Sequence, residues 1–339
     1  GHMRAAILHA AGPPTAFSLE ETPVPAPNRG EVLVRVHACG VSYRDVVERN
    51  GTYKRDVTFP LIIGLEISGV VEKCGDGVAT LQPGDHVCSK AFSSCGNCRY
   101  CRSGRETTCL QRKPVRGGYA EYVALPEDAF VKFPASLPFE VACTLGAGAG
   151  VALNAVRDTA KTEIGDRVLV TGATGGVGLP AVQLAKLAGA EVIALTRSDA
   201  KRDLLERAGA DHIVVSSGDF SKDVRAVTDG EGADVIIDTV GSRVFDAAYN
   251  SLALHGRYAF VGQLFGEQIS INPARIFFKR AQLLGVGSVS RAQLTDVVKL
   301  AAAGKVRPEI GKVMPLKDIA EAHRLLEESS VSGRIVVKP

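Results

Sequence analysis

Arg167-Val168-Leu169-Val170-Thr171, then Gly172-Ala173-Thr174-Gly175-Gly176-Val177-Gly178, then a segment whose Leu179, Val182, Leu184, Ala185 and Leu187 share one helical face, is the order of residues that decides the fold. A short apolar run ended by glycine reads as a buried strand, and the spacing after it reads as a helix. Between them the glycines permit a tight turn and let the backbone approach a pyrophosphate, whose charge the amides of the helix N-terminus meet. The spelling is G-x-x-G-G-x-G, and Gly-rich turns are common, so the context carries the reading. Further apolar runs follow or flank it at Val192–Leu195, Ile213–Val215, Val235–Ile237, Tyr258–Val261 and Leu283–Val286, separated by stretches that mostly read as helices, Ala200–Ala208 among them. Buried strands alternating with helices predict a doubly wound parallel sheet in an α/β chain. Gly172, Thr174, Gly175, Gly176, Val177 and Gly178 are the expected dinucleotide contacts.

At the end of the second strand, a fold that takes NAD is expected to offer an Asp or Glu to the ribose. Thr196-Arg197-Ser198 stands there instead, with Lys201 one turn onward. A guanidinium pairs with a 2′-phosphate that a carboxylate would repel, which favours NADPH. The nearby Asp199, and Arg197 as a merely solvated loop residue, are the competing readings.

Ahead of this region the texture is β-rich. Val32, Val34 and Val36 alternate with Leu33, Arg35 and His37, and Gly75-Asp76-Gly77 and Pro83-Gly84-Asp85 are turn signals. Four of the eight cysteines crowd into Cys95-x2-Cys98-x2-Cys101-x7-Cys109. That spacing suits four thiolates around one tetrahedral Zn²⁺, and four protein ligands leave no open position, so the ion is expected to be structural. A disulfide pair and an iron–sulfur cluster are the alternatives. The remaining cysteines, 39, 74, 88 and 143, read as small core residues. Near the end of the chain, Leu316–Glu328 reads as a helix and Ile335–Val337 as a strand.

Composition sets the outer limits. The 339 residues carry 40 basic and 37 acidic side chains, a formal net charge of +3, which is no signature of a nucleic-acid or acidic-membrane partner. Hydrophobic residues make up 45% and charged residues 23%, as in an ordinary globular chain, and the length points to two domains. No run of about 18 apolar residues is evident, and the N-terminus lacks a signal-like pattern, so a cytoplasmic protein without membrane spans is expected.

With these residues in hand the chain resembles the medium-chain dehydrogenase/reductase superfamily over essentially its whole length. The resemblance rests on Gly40-Val41, Gly64-Leu65-Glu66 with Gly69, Pro83-Gly84-Asp85, the four-Cys lobe, the Gly172–Gly178 turn and Asp238-Thr239-Val240-Gly241. It implies a GroES-like β-rich catalytic domain, residues 3–125 and 275–339 with the zinc lobe at 95–109, and a Rossmann domain at 126–274. In the zinc alcohol dehydrogenases of this superfamily a Cys, a His and a later Cys or acidic residue hold the catalytic metal. Ser42, Leu65 and Ala147 occupy those places here, so no catalytic zinc is expected.

Ser42-Tyr43-Arg44-Asp45, followed by Gly51-Thr52-Tyr53 and Phe59-Pro60, is similar to the zinc-free quinone oxidoreductase and enoyl reductase branches, and most similar to acryloyl-CoA reductases. That similarity implies an NADPH-dependent reduction of an activated C=C bond in an enoyl thioester or enone, whose developing charge spreads onto a conjugated carbonyl and needs no metal. An NADPH:quinone oxidoreductase and a non-catalytic NADPH-binding protein are the alternatives. Tyr43 is the candidate for hydrogen-bonding the carbonyl or delivering a proton, or else an ordinary packed cleft Tyr. Arg44 is expected to salt-bridge Asp45 or to steer a CoA phosphate, and Asp45 to hold the loop. The family also implies cofactor contacts from Val240, Gly241, Val261, Gly262 and Gly287, and assembly into a homodimer or homotetramer through the Rossmann sheet edge.

Overall fold

The computed structural model describes residues 1–53 and 55–339, which divide into two compact units, residues 1–147 with 289–339 and residues 148–288. Both boundaries lie beyond the expected 125/126 and 274/275. The physical reason is strand pairing: Phe130–Lys132 hydrogen-bonds to His86–Ser89 in the first unit, and Gln282–Gly285 pairs with Leu252–Phe260 in the second. At the other end, His2 already belongs to the first strand, His2–Leu8, which forms a hairpin with Phe17–Pro23.

The first unit is built on a seven-stranded sheet. Its central strand, Glu31–Gly40, pairs antiparallel with Glu66–Cys74, Tyr122–Pro126 and Arg334–Lys338. Period-two alternation fails there in one respect: Leu33 is buried as fully as its valine neighbours. A strand in the middle of a sheet has both faces covered, and the outward residue is then apolar too. Val32, Val34, Ile67, Val87, Phe130, Tyr119, Ile319 and Val337 belong to one core, which seats the amphipathic helix Ile319–Glu327.

The second unit carries six parallel strands in the order His212–Val215, Glu191–Thr196, Arg167–Val170, Ala233–Asp238, Leu252–Phe260, Gln282–Gly285. In chain order that is 3-2-1-4-5-6. The direction of winding reverses between the first and fourth strands, and in such sheets ligands bind outside the carboxyl ends at that reversal. Glycine at 178 is required by the turn, since a Cβ there would lie 1.9 Å from the Gly172 carbonyl oxygen.

One helix, Phe139–Thr159, is long and apolar enough to cross a membrane by length and composition, with mean hydropathy 1.4, although Glu140, Asn154, Arg157 and Asp158 interrupt it and it is not an unbroken apolar run. Its apolar window is 72% buried within the folded chain, because Ala142, Leu145, Ala149, Ala152, Leu153 and Val156 are core residues. The helix widens into two π turns, Leu145–Gly150 and Asn154–Thr159.

Charge is buried beside the cysteine lobe. Lys90, 1% exposed, bridges Glu106 at 2.6 Å and Asp128 at 2.9 Å, and Arg291 donates to the Asp128 and Phe130 carbonyls. Glu106 lies between Cys101 and Cys109, so this network ties the lobe to the sheet. Removing one partner of a buried pair leaves an uncompensated charge. Lys90→Met is expected to lower stability by roughly 2–4 kcal/mol, read by thermal unfolding followed by circular dichroism. An unchanged melting temperature would remove the network from this role.

Candidate functional site: a dinucleotide cavity and a four-thiol lobe

A cavity of about 610 Å³ opens at the reversal point of the parallel sheet. Of the residues expected from the sequence, Gly172, Thr174, Thr196, Arg197, Ser198, Lys201 and Val240 line it. Gly175, Gly176, Val177 and Gly178 make the turn and the start of the helix Gly178–Leu187. Gly241, Val261 and Gly262 line a smaller cavity of about 280 Å³ in the same unit. Gly287 lines neither; its carbonyl accepts from Asn154 Nδ2 at 3.4 Å.

The cavity rim is shaped by hydrogen bonds from the two strands that part there. Thr171 Oγ1 donates to Asp238 Oδ1 at 2.8 Å, and the amides of Val240 and Gly241 donate to the same oxygen at 2.9 and 3.0 Å. Tyr258 Oη donates to Asp238 Oδ2 at 2.5 Å. Gly172 adopts a positive φ of 57°, and a Cβ on it would meet Thr239 Oγ1 at 2.3 Å. Glycine is therefore demanded both by conformation and by space.

The cavity is lined by the cations Arg197, Lys201 and Arg243 and by the acids Asp219 and Asp246. Among the described residues neither Arg197 nor Lys201 has an ion-pair partner, whereas Asp199, the nearest acid in the loop, is bonded to Arg202 at 2.7 Å. Sequence reasoning missed the opposite wall: Ser216, Gly218 and Phe220 from the loop after the third strand, and Arg243 after the fourth. Arg243 stacks its guanidinium 3.6 Å over Phe265 and pairs with Glu267 at 2.7 Å. No signal within the sequence placed them there; the observed strand order does, by bringing the loops after strands two, three and four to one cavity.

The sulfur atoms of Cys95, Cys98, Cys101 and Cys109 all lie within 4.8 Å of one another. Amide groups converge on them: Cys98 N donates to Cys95 Sγ at 3.3 Å and Cys95 N to Cys109 Sγ at 3.3 Å. Backbone amides lower the Cys98 thiol to about 6, whereas burial and the neighbouring sulfurs push Cys101 up to about 12. Four thiols this close ionise together only beside a cation, so the donor set fits a tetrahedral dication. Among the described residues this is the one gathering of three or more such ligand atoms. Cys39, Cys88 and Cys143 are buried, with thiols raised by desolvation.

In the first unit, Ser42 caps the helix Tyr43–Asn50: Asp45 Oδ2 accepts from Ser42 N and from Ser42 Oγ, each at 3.0 Å. The expected Arg44–Asp45 salt bridge does not form. Adjacent helical residues diverge, so Arg44 approaches Glu48 one turn on, 3.5 Å away, and donates to the Ala91 carbonyl at 3.0 Å and the Val115 carbonyl at 2.5 Å. Tyr43 is 53% exposed, and its hydroxyl donates to the Leu326 carbonyl at 3.3 Å. Leu65 is buried, and Glu66 pairs with Arg334.

A six-strand sheet wound 3-2-1-4-5-6 with a Gly turn at its reversal, in a chain that also holds a GroES-like unit with a four-thiol lobe, defines a dinucleotide-dependent oxidoreductase of mixed α/β architecture. The comparisons with known proteins agree. Residues 28–135 match the alcohol dehydrogenase GroES-like domain family, and residues 176–303 the zinc-binding dehydrogenase family. The chain is 32% identical over 333 residues to the acryloyl-coenzyme A reductase of Sulfurisphaera tokodaii, covering 97% of this chain and 98% of the relative. It is 33% identical over 351 residues to an NAD-dependent alcohol dehydrogenase of the same organism, covering 99% and 100%. The crystal structure of AibC superposes with a TM-score of 0.97 at 41% identity, covering 100% of this chain and 96% of that one. This chain belongs to the medium-chain dehydrogenase/reductase superfamily.

Gly178→Ala is expected to destabilise the second unit by on the order of 2–4 kcal/mol, because the clash is with backbone that cannot give way. Calorimetry should show the lower transition, and dinucleotide titration the lost binding. A variant that binds as tightly as the parent would refute the turn's assignment.

Proposed function

We propose that the protein is an NADPH-dependent reductase of an activated C=C bond, with an enoyl thioester as the substrate class. The observation that carries it is the set of residues at the family's metal-ligand places. Ser42 is engaged as a helix cap, Leu65 is core, and Ala147 has no donor atom, so none is free to hold a Lewis acid. An unactivated alcohol needs such an ion to stabilise its alkoxide, whereas a conjugated carbonyl can be stabilised by hydrogen-bond donors alone. The alcohol dehydrogenase relatives are equally similar in sequence, and this difference in chemistry is what separates the two readings.

NADPH, bound along the Gly172–Gly178 turn, supplies the hydride. Arg197 and Lys201 bind the 2′-phosphate, and the loop offers it no unpaired carboxylate. Thr174 and the amides that open the helix Gly178–Leu187 bind the pyrophosphate. Tyr43 gives up its 3.3 Å contact with the Leu326 carbonyl to donate to the substrate carbonyl. The four-Cys lobe holds one structural Zn²⁺ per chain. Chains assemble as a homodimer or homotetramer along the edge strand Gln282–Gly285, where Leu254, Phe277 and Phe278 are exposed.

The first test is NADPH consumption against acryloyl-CoA, crotonyl-CoA, a free enone, a quinone and an aldehyde, each repeated with NADH. The thioesters are expected to turn over fastest, with NADPH preferred. Arg197→Glu should reverse the cofactor preference by about tenfold or more, since one lost charge-assisted pair is worth on the order of 1.5–3 kcal/mol. Tyr43→Phe should slow thioesters and spare quinones. Fast quinone turnover with inert thioesters would favour a quinone oxidoreductase, turnover of the aldehyde alone an alcohol dehydrogenase, and tight NADPH binding with no turnover a non-catalytic role.

Elemental analysis should find about one zinc per chain, and Cys98→Ser should lose it along with thermal stability. About two zinc ions per chain would contradict a metal-free reaction centre. Sedimentation of the same sample reads the assembly state, and a monomer would refute the edge-strand contact.

A further inference from the structure

The positive charge of the chain is concentrated in the cysteine lobe, where the reaction makes no use of it. Residues 95–113 carry five cations, Arg99, Arg102, Arg105, Arg112 and Lys113, against a single acid, Glu106. That excess of four exceeds the +3 of the whole chain, so everything outside the lobe is −1 on balance. Glu106 neutralises none of the five, because its carboxylate is held at 2.6 Å by the buried Lys90 and at 3.1 Å by the Arg291 amide. Among the described residues none of the five has an ion-pair partner, and Arg99, Arg102, Arg105 and Lys113 are exposed.

The thiols do not consume these cations. Cys95 and Cys109 receive backbone amides instead, from Asn97 and Cys98 at 3.4 and 3.3 Å and from Cys95 and Gln111 at 3.3 and 3.4 Å. Among the described residues no guanidinium or ammonium group hydrogen-bonds a sulfur. Three of the guanidiniums are instead fixed in place. Arg99 and Arg105 lie 4.8 and 5.7 Å from the Tyr100 ring centre, and Arg105 Nε donates to Ser103 Oγ at 3.2 Å. Arg112 lies 4.7 Å over Phe92 and donates to the Thr107 carbonyl at 2.9 Å. A guanidinium ordered on a ring has given up rotamer freedom before an anion arrives, which lowers the cost of binding one.

Within the same unit the lobe is joined to the helix that carries Tyr43. Arg44 also lies over the Phe92 ring, at 5.3 Å, so its guanidinium and that of Arg112 are at most about 10 Å apart. Just past the lobe, the Val115 carbonyl accepts from Arg44, and Arg116 pairs with Glu48 at 2.8 Å. Arg44 itself has no capacity left for a phosphate. Its side chain is 15% exposed and engaged by two carbonyls and Glu48. The cations left for that task are those of the lobe.

We propose that the cysteine lobe is the docking surface for the 3′-phospho-ADP end of a coenzyme A thioester, with Arg102 and Arg105 on its phosphates. The proposal rests on the reductase reading, which puts the acyl carbonyl at Tyr43. Charge and shape select this occupant. The 3′-phosphate and the diphosphate place about four negative charges in one compact group, on a purine against which a guanidinium plane can stack. The uncharged pantetheine arm spans the distance between that group and the thioester. A long polyanion such as a nucleic acid would need positive surface beyond the lobe, and the rest of the chain carries a slight acidic excess.

Crotonyl-pantetheine has the same acyl thioester as crotonyl-CoA and lacks the 3′-phospho-ADP, so the pair isolates the docking surface. In the parent, KM for crotonyl-CoA should be at least about tenfold the lower of the two at similar kcat, and the advantage should shrink as salt rises from about 20 to about 500 mM. Arg102 makes no side-chain hydrogen bond among the described residues, so Arg102→Gln disturbs no contact within the chain. It should raise KM for crotonyl-CoA about threefold, and Arg102→Gln with Arg105→Gln about tenfold, while crotonyl-pantetheine turns over as in the parent. The same loss of charge at Lys305 or Lys317, exposed residues outside the lobe, should change neither KM. Titration with adenosine 3′,5′-bisphosphate and with its 2′,5′ isomer gives a readout independent of turnover, and zinc would be measured on each sample. The lobe variants should lose affinity for the 3′,5′ isomer alone and keep their zinc.

Equal KM for the two thioesters in the parent, a variant that weakens both thioesters alike, or no binding of the 3′,5′ isomer would each overturn the proposal. The last result is also what a surface for an acidic carrier protein would give. Loss of zinc from Arg102→Gln would overturn it too, by making the guanidiniums counter-ions of the thiolates. If no thioester is reduced, the reductase reading fails by itself. The nucleotide titration then still decides: affinity for the 3′,5′ isomer that falls in Arg102→Gln upholds the docking surface, and unchanged affinity overturns it.

Discussion

The second unit depends on one buried carboxylate. Asp238 stands at the end of the fourth strand and accepts from Thr171, from two amides of its own turn and from Tyr258. A buried charge is tolerated only when its lone pairs are occupied, and here they are occupied by Thr171 just past the first strand, two amides of the turn after the fourth and Tyr258 on the fifth. The sheet can therefore part at its reversal point without fraying. The open mouth that results is where the Gly172 turn presents its amides.

The first unit solves a comparable problem differently. Its buried charged side chains, Lys90, Arg49, Glu48 and Glu66, sit in short networks that end on backbone carbonyls or part-exposed groups. The networks do separate work. One fixes the cysteine lobe, and another ties Arg49 to His323 and Glu327. A single change of residue type would open either, because low-dielectric surroundings make an unmatched partner costly.

Several features were legible because they are local. The strand, Gly turn and helix at 167–187, the C-x2-C-x2-C-x7-C lobe and the terminal helix and strand each announce themselves within a few residues. Arg44 illustrates where local reading stops. Sequence adjacency suggested Asp45 as its partner, but a helix turns neighbours about 100° apart and brings together residues three and four positions distant, so Glu48 took that place and Asp45 became the cap. The domain boundaries slipped for a related reason. Leu283–Val286 read as a strand of the parallel sheet although the boundary was set before it, Phe130–Lys132 carried no strand signal, and which sheet each joins is decided by hydrogen bonds to strands far away in the chain.

By itself the sequence determined the class of fold, the glycines that a pyrophosphate turn demands, the four thiols of the lobe and the lack of donor atoms at Leu65 and Ala147. These follow from residue type and short spacing, which physical chemistry constrains directly. Tertiary structure alone decided that Arg243 and the loop Ser216–Phe220 share a cavity with Arg197, and that Asp238 locks its rim. It alone set Tyr119, His323 and Arg49 in a row, across separations of up to 274 residues. Such meetings come from long-range packing of sheets and helices, and no periodicity in the chain encodes them.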